Sequence, residues 1–171
     1  GGGGGGGGSK KVLLPLCGKT IDMPYILAKG HEVTGVELVR EAFDHFVKEQ
    51  AVTGPVTSSN KGGLELLNVP LKEAKTKGVG GLNFVVGDFF SLTKKVNGSF
   101  DAVFDRGGLV AVTPDLRDKY ADTLQKVIHK GGRLLLVTVE HTGFANGKMG
   151  PPFSVPPEQV EEMFTKRGFK A

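Results

Sequence analysis

The sequence is poor in the residues that mark several classes of protein. Its 171 residues contain one cysteine and no tryptophan. A single cysteine excludes an internal disulfide and suits a reducing compartment, so we expect a cytoplasmic protein. No apolar run approaches the roughly 20 residues that cross a bilayer, which predicts that no membrane is involved. The hydrophobic content of 39% and charged content of 23% are ordinary for one soluble domain.

Patterns typical of nucleic-acid and metal binding are also missing. The net charge is +4, and the lysines and arginines form no run longer than two residues, as at Lys10-Lys11, so we expect no nucleic-acid partner. The four histidines lack the spacing of metal ligands, so no metal site is predicted. His141 is a candidate acid or base near the predicted site. We expect a monomer.

The two ends of the chain are unusual. Residues 1–8 are all glycine, which indicates a flexible tail or a stand-in for other residues. We exclude them and treat residues 9–171 as one domain. Because the sequence stops just after a predicted helix, where a further strand is expected, we interpret this domain as truncated.

The rest of the chain alternates short apolar runs with amphipathic segments. Strands are predicted at 10–16, 32–38, 82–86, 100–105 and 133–139. Helices are predicted from Thr20 to Gly30, over 40–50, from Pro114 to about His129 where Gly131-Gly132 stop it, and around 158–167. Residues 51–81 are expected to be mostly loop, with a short hairpin possible. This alternation predicts an α/β fold, a doubly wound, Rossmann-like parallel sheet.

Polar side chains follow the predicted strands, where open parallel sheets bind ligands. Glu37 lies 19 residues after the turn residue Gly18, the spacing of an acid that accepts hydrogen bonds from ribose hydroxyls. Asp88 is placed to accept from an adenine amino group, and Phe89 offers the ring an apolar surface. Taken singly, Glu37 could be a solvated acid and Asp88 a cap of the following turn. Together they indicate an adenosine.

The first turn, Pro-Leu-Cys-Gly-Lys at 15–19, has one glycine where pyrophosphate-binding turns have three. An adenosine cofactor without phosphates, S-adenosylmethionine, fits such a turn better. The carbonyl of Leu16 would accept from its amino group, and Gly18 would leave room beside it. Cys17 is interpreted as a packing residue. A nucleotide-binding oxidoreductase is the alternative that the missing glycines disfavour.

Arg106 places a charge between an apolar strand and the apolar segment Gly-Gly-Leu-Val-Ala-Val. Buried arginines need partners. The structural interpretation is an ion pair with Asp105 or Glu37, and the functional one is a role at the site.

Three long blocks resemble one family. They are LLPLCGKTIDMPYILAKGHEVTGVEL, FDAVFDRGGLVAVTPDLRDKYADTL and GPPFSVPPEQVEEMF, and they are similar to the thiopurine S-methyltransferases. The resemblance implies a class I methyltransferase fold, a seven-stranded sheet with one antiparallel strand, here without the last two strands. It implies S-adenosylmethionine as cofactor, contacted by Leu16, Glu37, Asp88 and Phe89, with Arg106 beside cofactor and acceptor. The family has a serine-like position where Asp88 stands.

The resemblance also implies a reaction, which is methyl transfer to the sulfur of a small aromatic or heterocyclic thiol such as a thiopurine. Arg106 would favour the nucleophilic thiolate by lowering its pKa. The family carries an N-terminal segment with tryptophans that closes over the cofactor, and the glycine octet stands at its end. Two alternatives stay open. One is a non-catalytic remnant that binds an adenosine cofactor, and the other is a methyltransferase for small aliphatic thiols, selenium or tellurium species.

Overall fold

The computed structural model describes residues 8–18, 20–50, 55–69 and 81–170. Its strands are β1 Lys11–Leu14, β2 Glu32–Glu37, β3 Thr57–Lys61, β4 Leu64–Val69, β5 Leu82–Val86, β6 Phe100–Arg106 and β7 Ile128–Val137. Its helices are α1 Asp22–Ala28, α2 Arg40–Glu49, α3 Lys94–Asn97, α4 Gly108–Ala111, α5 Arg117–Val127 and α6 Pro157–Thr165. Two 3-10 helices span Phe89–Ser91 and Pro114–Leu116.

These strands form one mixed sheet in the order β3-β4-β5-β2-β1-β6-β7. The five strands from β5 to β7 in that order are parallel, and β4 runs antiparallel to both of its neighbours. The resemblance implies a seven-stranded sheet with one antiparallel strand, here without its last two strands. The sheet does have seven strands, but two of them are the β3–β4 hairpin, and no strand follows α6 within the described residues. The antiparallel strand thus belongs to this hairpin before β5 and not to a segment after the last helix.

Two hydrophobic cores cover the two faces of the sheet, because successive residues of a strand point to opposite sides. On one face Leu13, Val36 and Val103 pack against α5 and α6. On the other, Leu14, Val33 and Phe84 pack against α1 and α2. This coverage of both faces explains why the central strands are near-continuous apolar runs in the sequence.

Several predicted boundaries are confirmed, and those of α5 and β7 are wrong. The strand 82–86 and the Gly30 helix stop agree with the structure, and Gly30 has a φ of +84°. The helix predicted from Pro114 to about His129 instead starts with a 3-10 turn and ends at Val127. Gly131 and Gly132 do not stop this helix, since the chain is already extended from Ile128 and the glycines lie within β7.

The short hairpin that the sequence allows within 51–81 is present, and it is formed by β3 and β4. Parts of the predicted loop, 51–54 and 70–80, lie outside the described residues, as do the first seven glycines. Within the described ranges, no helix is long and apolar enough to cross a membrane.

Candidate functional site at the strand tips

The carboxyl ends of the central strands bring the predicted site residues to one edge of the sheet. In spatial order these are Asp88 after β5, Glu37 ending β2, the Leu16–Gly18 turn after β1, and Arg106 ending β6. Glu37 pairs with Val86, and the N–H of Gly87 donates to its carbonyl at 2.9 Å. The sheet order therefore places both acids on one side of the β1 turn and Arg106 on the other.

The turn after β1 is conformationally strained. Leu16 has a φ of +45°, and it is the only residue besides glycine with a positive φ in the part of the chain that is described. Such backbone costs on the order of 1 kcal/mol or more and persists only where surrounding contacts hold it. Here the N–H of Cys17 donates to the carbonyl of Val36 at 3.0 Å, which ties the turn to β2. The Leu16 carbonyl is thereby fixed in an orientation that an ordinary strand end would not adopt.

Cys17 is a packing residue, as the sequence indicated. Burial, followed by the charge of Glu37, raises the pKa of its thiol to about 12. A thiol with that pKa holds almost no thiolate at neutral pH and is a poor nucleophile. It packs against Gly35 of β2, where an added Cβ would lie 2.9 Å from its Sγ. Gly35 thus lets the turn lie close on the sheet.

Glu37 bends back over the turn. One carboxylate oxygen accepts from the N–H of Gly18 at 3.0 Å, and the other accepts from the N–H of Leu38 at 2.8 Å. Because each carboxylate oxygen can accept two bonds, both retain acceptor capacity for a ligand hydroxyl. Glu37 therefore combines support of the turn with an open acceptor edge.

Asp88 and Phe89 lie in the loop that follows β5. Asp88 accepts from the N–H of Phe90 at 2.9 Å and so caps the Phe89–Ser91 turn, which is the structural role considered for it. Its side chain is also exposed at the site edge. The ring of Phe89 is buried and stacks on Tyr120, with centroids 4.7 Å apart. Any contact of Phe89 with a ligand would thus come from its backbone or ring edge.

Arg106 has an ion-pair partner that the sequence analysis did not name. Its Nε donates to Oδ2 of Asp22 at 2.9 Å, so the expected pairing with Asp105 or Glu37 is wrong. Glu37 is turned toward Gly18, and Asp105 points into the core on the other side of the strand. Thr20 orders Asp22, since its hydroxyl donates to the same Oδ2 at 2.6 Å. Arg106 remains half exposed and is not a buried arginine.

Asp105 instead holds the turn that carries Arg106. Its carboxylate is 1% exposed and accepts from the N–H groups of Gly108 and Leu109, at 2.7 and 3.2 Å, and from the hydroxyl of Tyr120 at 2.8 Å. Burial raises the pKa of Asp105, and these hydrogen bonds partly oppose that rise. A Cβ on Gly108 would lie 2.5 Å from the Tyr120 hydroxyl and 2.7 Å from Asp105. This geometry explains why the residue at 108 is a glycine.

His141 has a structural role in the loop after β7. Its Nδ1 accepts from the N–H of Gly143 at 3.0 Å, and its Nε2 lies 2.9 Å from the carbonyl of Pro152. Both ring nitrogens are therefore engaged, and the candidate acid-base role has no geometric support. No group of three or more His, Cys, Asp or Glu side chains could hold a metal ion among the residues described.

Two cavities lie elsewhere. One of about 360 Å³ is at the opposite, amino end of the sheet, beside Glu32, Asn68 and Asn83. The other is a groove of about 1010 Å³ between β7 and α6. Neither includes Glu37 or Arg106. The strand-tip site is an open surface, since a Cβ built on Gly18 or Gly107 would meet no atom of the described residues within 4 Å.

The fold matches solved methyltransferases. A SAM-dependent methyltransferase from Methanosarcina mazei superposes with a TM-score of 0.67 at 17% identity, over 94% of this chain and 80% of that one. A 1,6-didemethyltoxoflavin-N1-methyltransferase from Burkholderia thailandensis, solved with bound 1,6-didemethyltoxoflavin and S-adenosylhomocysteine, superposes with a TM-score of 0.60 at 17% identity, over 94% of this chain and 60% of that one. The chain is thus an α/β domain with the class I S-adenosylmethionine-dependent methyltransferase fold.

Sequence similarity gives the family. Residues 6–171 match the family described as Thiopurine S-methyltransferase (TPMT). The thiopurine S-methyltransferase of Legionella pneumophila strain Paris is 36% identical over 150 residues, and that of Vibrio campbellii is 38% identical over 159. The chain belongs to the thiopurine S-methyltransferase family, as the sequence blocks predicted. The two alignments include 88% and 93% of this chain, but the chain spans only 62% and 65% of the length of these relatives.

Proposed function

We propose that this chain binds S-adenosylmethionine at the strand tips and, in the whole protein, transfers its methyl group to the sulfur of a small aromatic or heterocyclic thiol. The observation that carries the proposal is the contact between Glu37 and Gly18. In pyrophosphate-binding turns the glycine N–H groups face the anion. Here that N–H donates to a carboxylate, so the turn presents negative charge. It suits a hydroxyl-bearing, phosphate-free adenosyl group and disfavours a dinucleotide.

The residues at the strand tips fit the cofactor in further ways. The strained Leu16 fixes a carbonyl that would accept from the ligand's amino group, and open space lies over Gly18. Glu37 would accept from the ribose hydroxyls. The exposed Asp88 would accept from the adenine amino group, with Phe89 next to it. S-adenosylmethionine supplies a methyl group that is already electrophilic, so the chain's residues need to position and not to activate it.

Arg106 is the residue proposed to act on the acceptor. Its half-exposed guanidinium lies at the site edge, where a positive charge lowers the pKa of a nearby thiol and favours the thiolate. The largest contribution to the rate would be alignment of that thiolate with the methyl group, which can be worth an effective molarity of about 10⁵ M or more. A soluble, monomeric, cytoplasmic enzyme fits this chemistry.

Two measurements on protein made from the complete coding sequence test this function. Calorimetry should show binding of S-adenosylhomocysteine but not of NAD, and Glu37→Gln should weaken that binding about tenfold or more, the value of one hydrogen bond to a charged group. Glu41→Gln, an exposed change in α2, is the matched control. Mass spectrometry should then detect methylation of thiophenol and 6-mercaptopurine but not of phenol. Binding of NAD alone, or methylation of no thiol, would contradict the proposal.

A further inference from the structure

The Asp22–Arg106 ion pair leaves half of each charged group unused. Arg106 donates through Nε only, and its two Nη atoms bond to none of the residues that the structure describes. Asp22 accepts from Arg106 and Thr20 at Oδ2, whereas its Oδ1 accepts from none of these residues. A guanidinium offers five donors in a planar fork, and a carboxylate offers about four acceptor sites. The pair therefore has two open donor atoms, the Nη nitrogens with four N–H groups, beside one open acceptor oxygen, Oδ1.

This half-filled pair lies beside the proposed cofactor turn. Asp22 follows the turn as the first residue of α1, and Arg106 ends β6, the strand next to β1. The Asp22 side chain is 23% exposed and that of Arg106 50%, so a ligand can reach both. The hydroxyl of Thr20 holds the carboxylate through its hydrogen bond to Oδ2. The protein thus holds both charged groups in place but leaves Oδ1 of Asp22 and the Nη atoms of Arg106 available to a ligand.

A zwitterionic α-amino acid group has the complementary charges. Its carboxylate can take the two Nη donors of a guanidinium, and its ammonium, on the adjacent carbon, can donate to a carboxylate oxygen. We propose that Asp22 is a cofactor-binding residue whose Oδ1 accepts from the α-ammonium group of S-adenosylmethionine while the Nη atoms of Arg106 take its α-carboxylate. This inference rests on the proposed function and assigns Asp22 a role in it.

The other acids at the strand tips are less suited to the ammonium group. Glu37 has a backbone N–H on each oxygen, and Asp105 is buried against Tyr120 and two backbone N–H groups. Asp88 follows β5, which β2 and β1 separate from Arg106 and its strand. Of these four acids, only Asp22 combines a carboxylate oxygen that bonds to no described residue with an adjacent arginine whose Nη atoms are also unbonded to them.

The test compares ligands that differ only at the amino acid end. S-adenosylhomocysteine has both charges, its desamino analogue keeps the carboxylate, its decarboxylated analogue keeps the ammonium, and 5′-methylthioadenosine has neither. Asp22→Asn should weaken the two ammonium-bearing ligands about tenfold to a hundredfold, the value of a charge-assisted hydrogen bond. It should leave 5′-methylthioadenosine within twofold and the desamino analogue equal or tighter. Arg106→Gln should weaken the carboxylate-bearing ligands instead.

Asp44→Asn is the matched control, because Asp44 also pairs with an arginine, Arg40, at 3.2 Å but within α2. It should change no affinity. Should Asp22→Asn fail to fold, Thr20→Val removes the hydroxyl that holds Asp22 and should give a smaller loss with the same ligand pattern. Unchanged preference for S-adenosylhomocysteine over 5′-methylthioadenosine in a folded Asp22→Asn protein would overturn this inference alone. A wild-type protein that binds neither ligand would overturn the proposed function with it.

Discussion

The hydroxyl of Tyr120 donates to the buried carboxylate of Asp105 at 2.8 Å, and this bond joins the two halves of the site. The ring of Tyr120 stacks on Phe89, beside the exposed Asp88, while Asp105 holds the backbone turn that follows Arg106. One side chain on α5 therefore fixes the loop after β5 relative to the arginine that ends β6. Neither side chain of the pair is exposed, so its role is to position others.

Tyr120→Phe should destabilise the fold and should do so more at neutral than at acid pH. It removes the hydroxyl, which costs about 1–3 kcal/mol at a buried acceptor, and keeps the stacked ring. Burial raises the pKa of Asp105 in the folded state. The folded chain then holds this proton more tightly than the unfolded chain, and stability falls as the pH rises from the ordinary Asp pKa to the raised one.

Loss of the Tyr120 donor raises the pKa of Asp105 further, so the extra penalty is present at pH 7 and mostly absent at pH 4. Urea unfolding at the two pH values measures it. Tyr25→Phe, at an exposed tyrosine, is the control and should have little effect at either pH. An equal loss at both values for Tyr120→Phe would show that Asp105 does not respond to this hydroxyl.

The single cysteine gives a direct probe of the β1 turn. Because burial and then Glu37 raise the pKa of Cys17 to about 12, iodoacetamide at pH 8 should alkylate it at least about 100-fold more slowly in the folded protein than in urea. With one thiol in the chain, mass spectrometry counts the modified fraction without ambiguity. Fast alkylation of the folded protein, together with loss of cofactor binding, would instead mark Cys17 as a reactive group.

Gly35 should be required for the close approach of the turn and α1 to the sheet. An added Cβ would lie 2.9 Å from Sγ of Cys17 and 2.9 Å from Sδ of Met23. Overpacking of this kind costs about 1–3 kcal/mol, which denaturant unfolding of Gly35→Ala would measure. Cys17→Ala should restore part of that loss, because it removes one of the two contacts. Purely additive effects in the double-mutant cycle would show that the two residues do not share the space.

The sequence predicted the parallel strands and their tips well, because buried parallel strands are continuous apolar runs and the acids after them are conspicuous. Glu37, Asp88 and Arg106 were predicted in this way, and the structure places them at one edge of the sheet. The partner of Arg106 was not, since Asp22 lies 84 residues earlier and only the adjacency of β1 and β6 brings the two together. Spacing along the chain favoured Asp105, whose side chain the strand alternation turns into the core.

The sequence did not predict the role of Tyr120 or the extended start of β7. Tyr120 lies on the face of α5 that packs next to Asp105. A hydroxyl on an otherwise apolar helix face was the sequence feature that could have indicated a buried hydrogen-bond partner. The segment Ile128–Lys130 is extended because β6 offers Phe100 as a pairing partner, whereas local sequence favoured continuing the helix to the glycines. Tertiary pairing overrode a local preference there.

Arg106→Gln should slow methyl transfer most for acceptors that are not ionised in solution. If the guanidinium favours the thiolate, its loss leaves the acceptor at its solution pKa, so a thiol that ionises above pH 8 becomes mostly protonated in the site at neutral pH. With S-adenosylmethionine saturating, so that weaker cofactor binding does not contribute, we expect kcat/KM for such a thiol to fall about tenfold to a hundredfold at pH 7. The defect should shrink as the assay pH rises toward 9.5. An electron-poor thiophenol, already ionised at pH 7, should lose less. Arg133→Gln, at an arginine on β7, is the control. A defect of the same size at every pH and for both acceptors would assign Arg106 to positioning alone, through contacts that do not depend on the acceptor's proton.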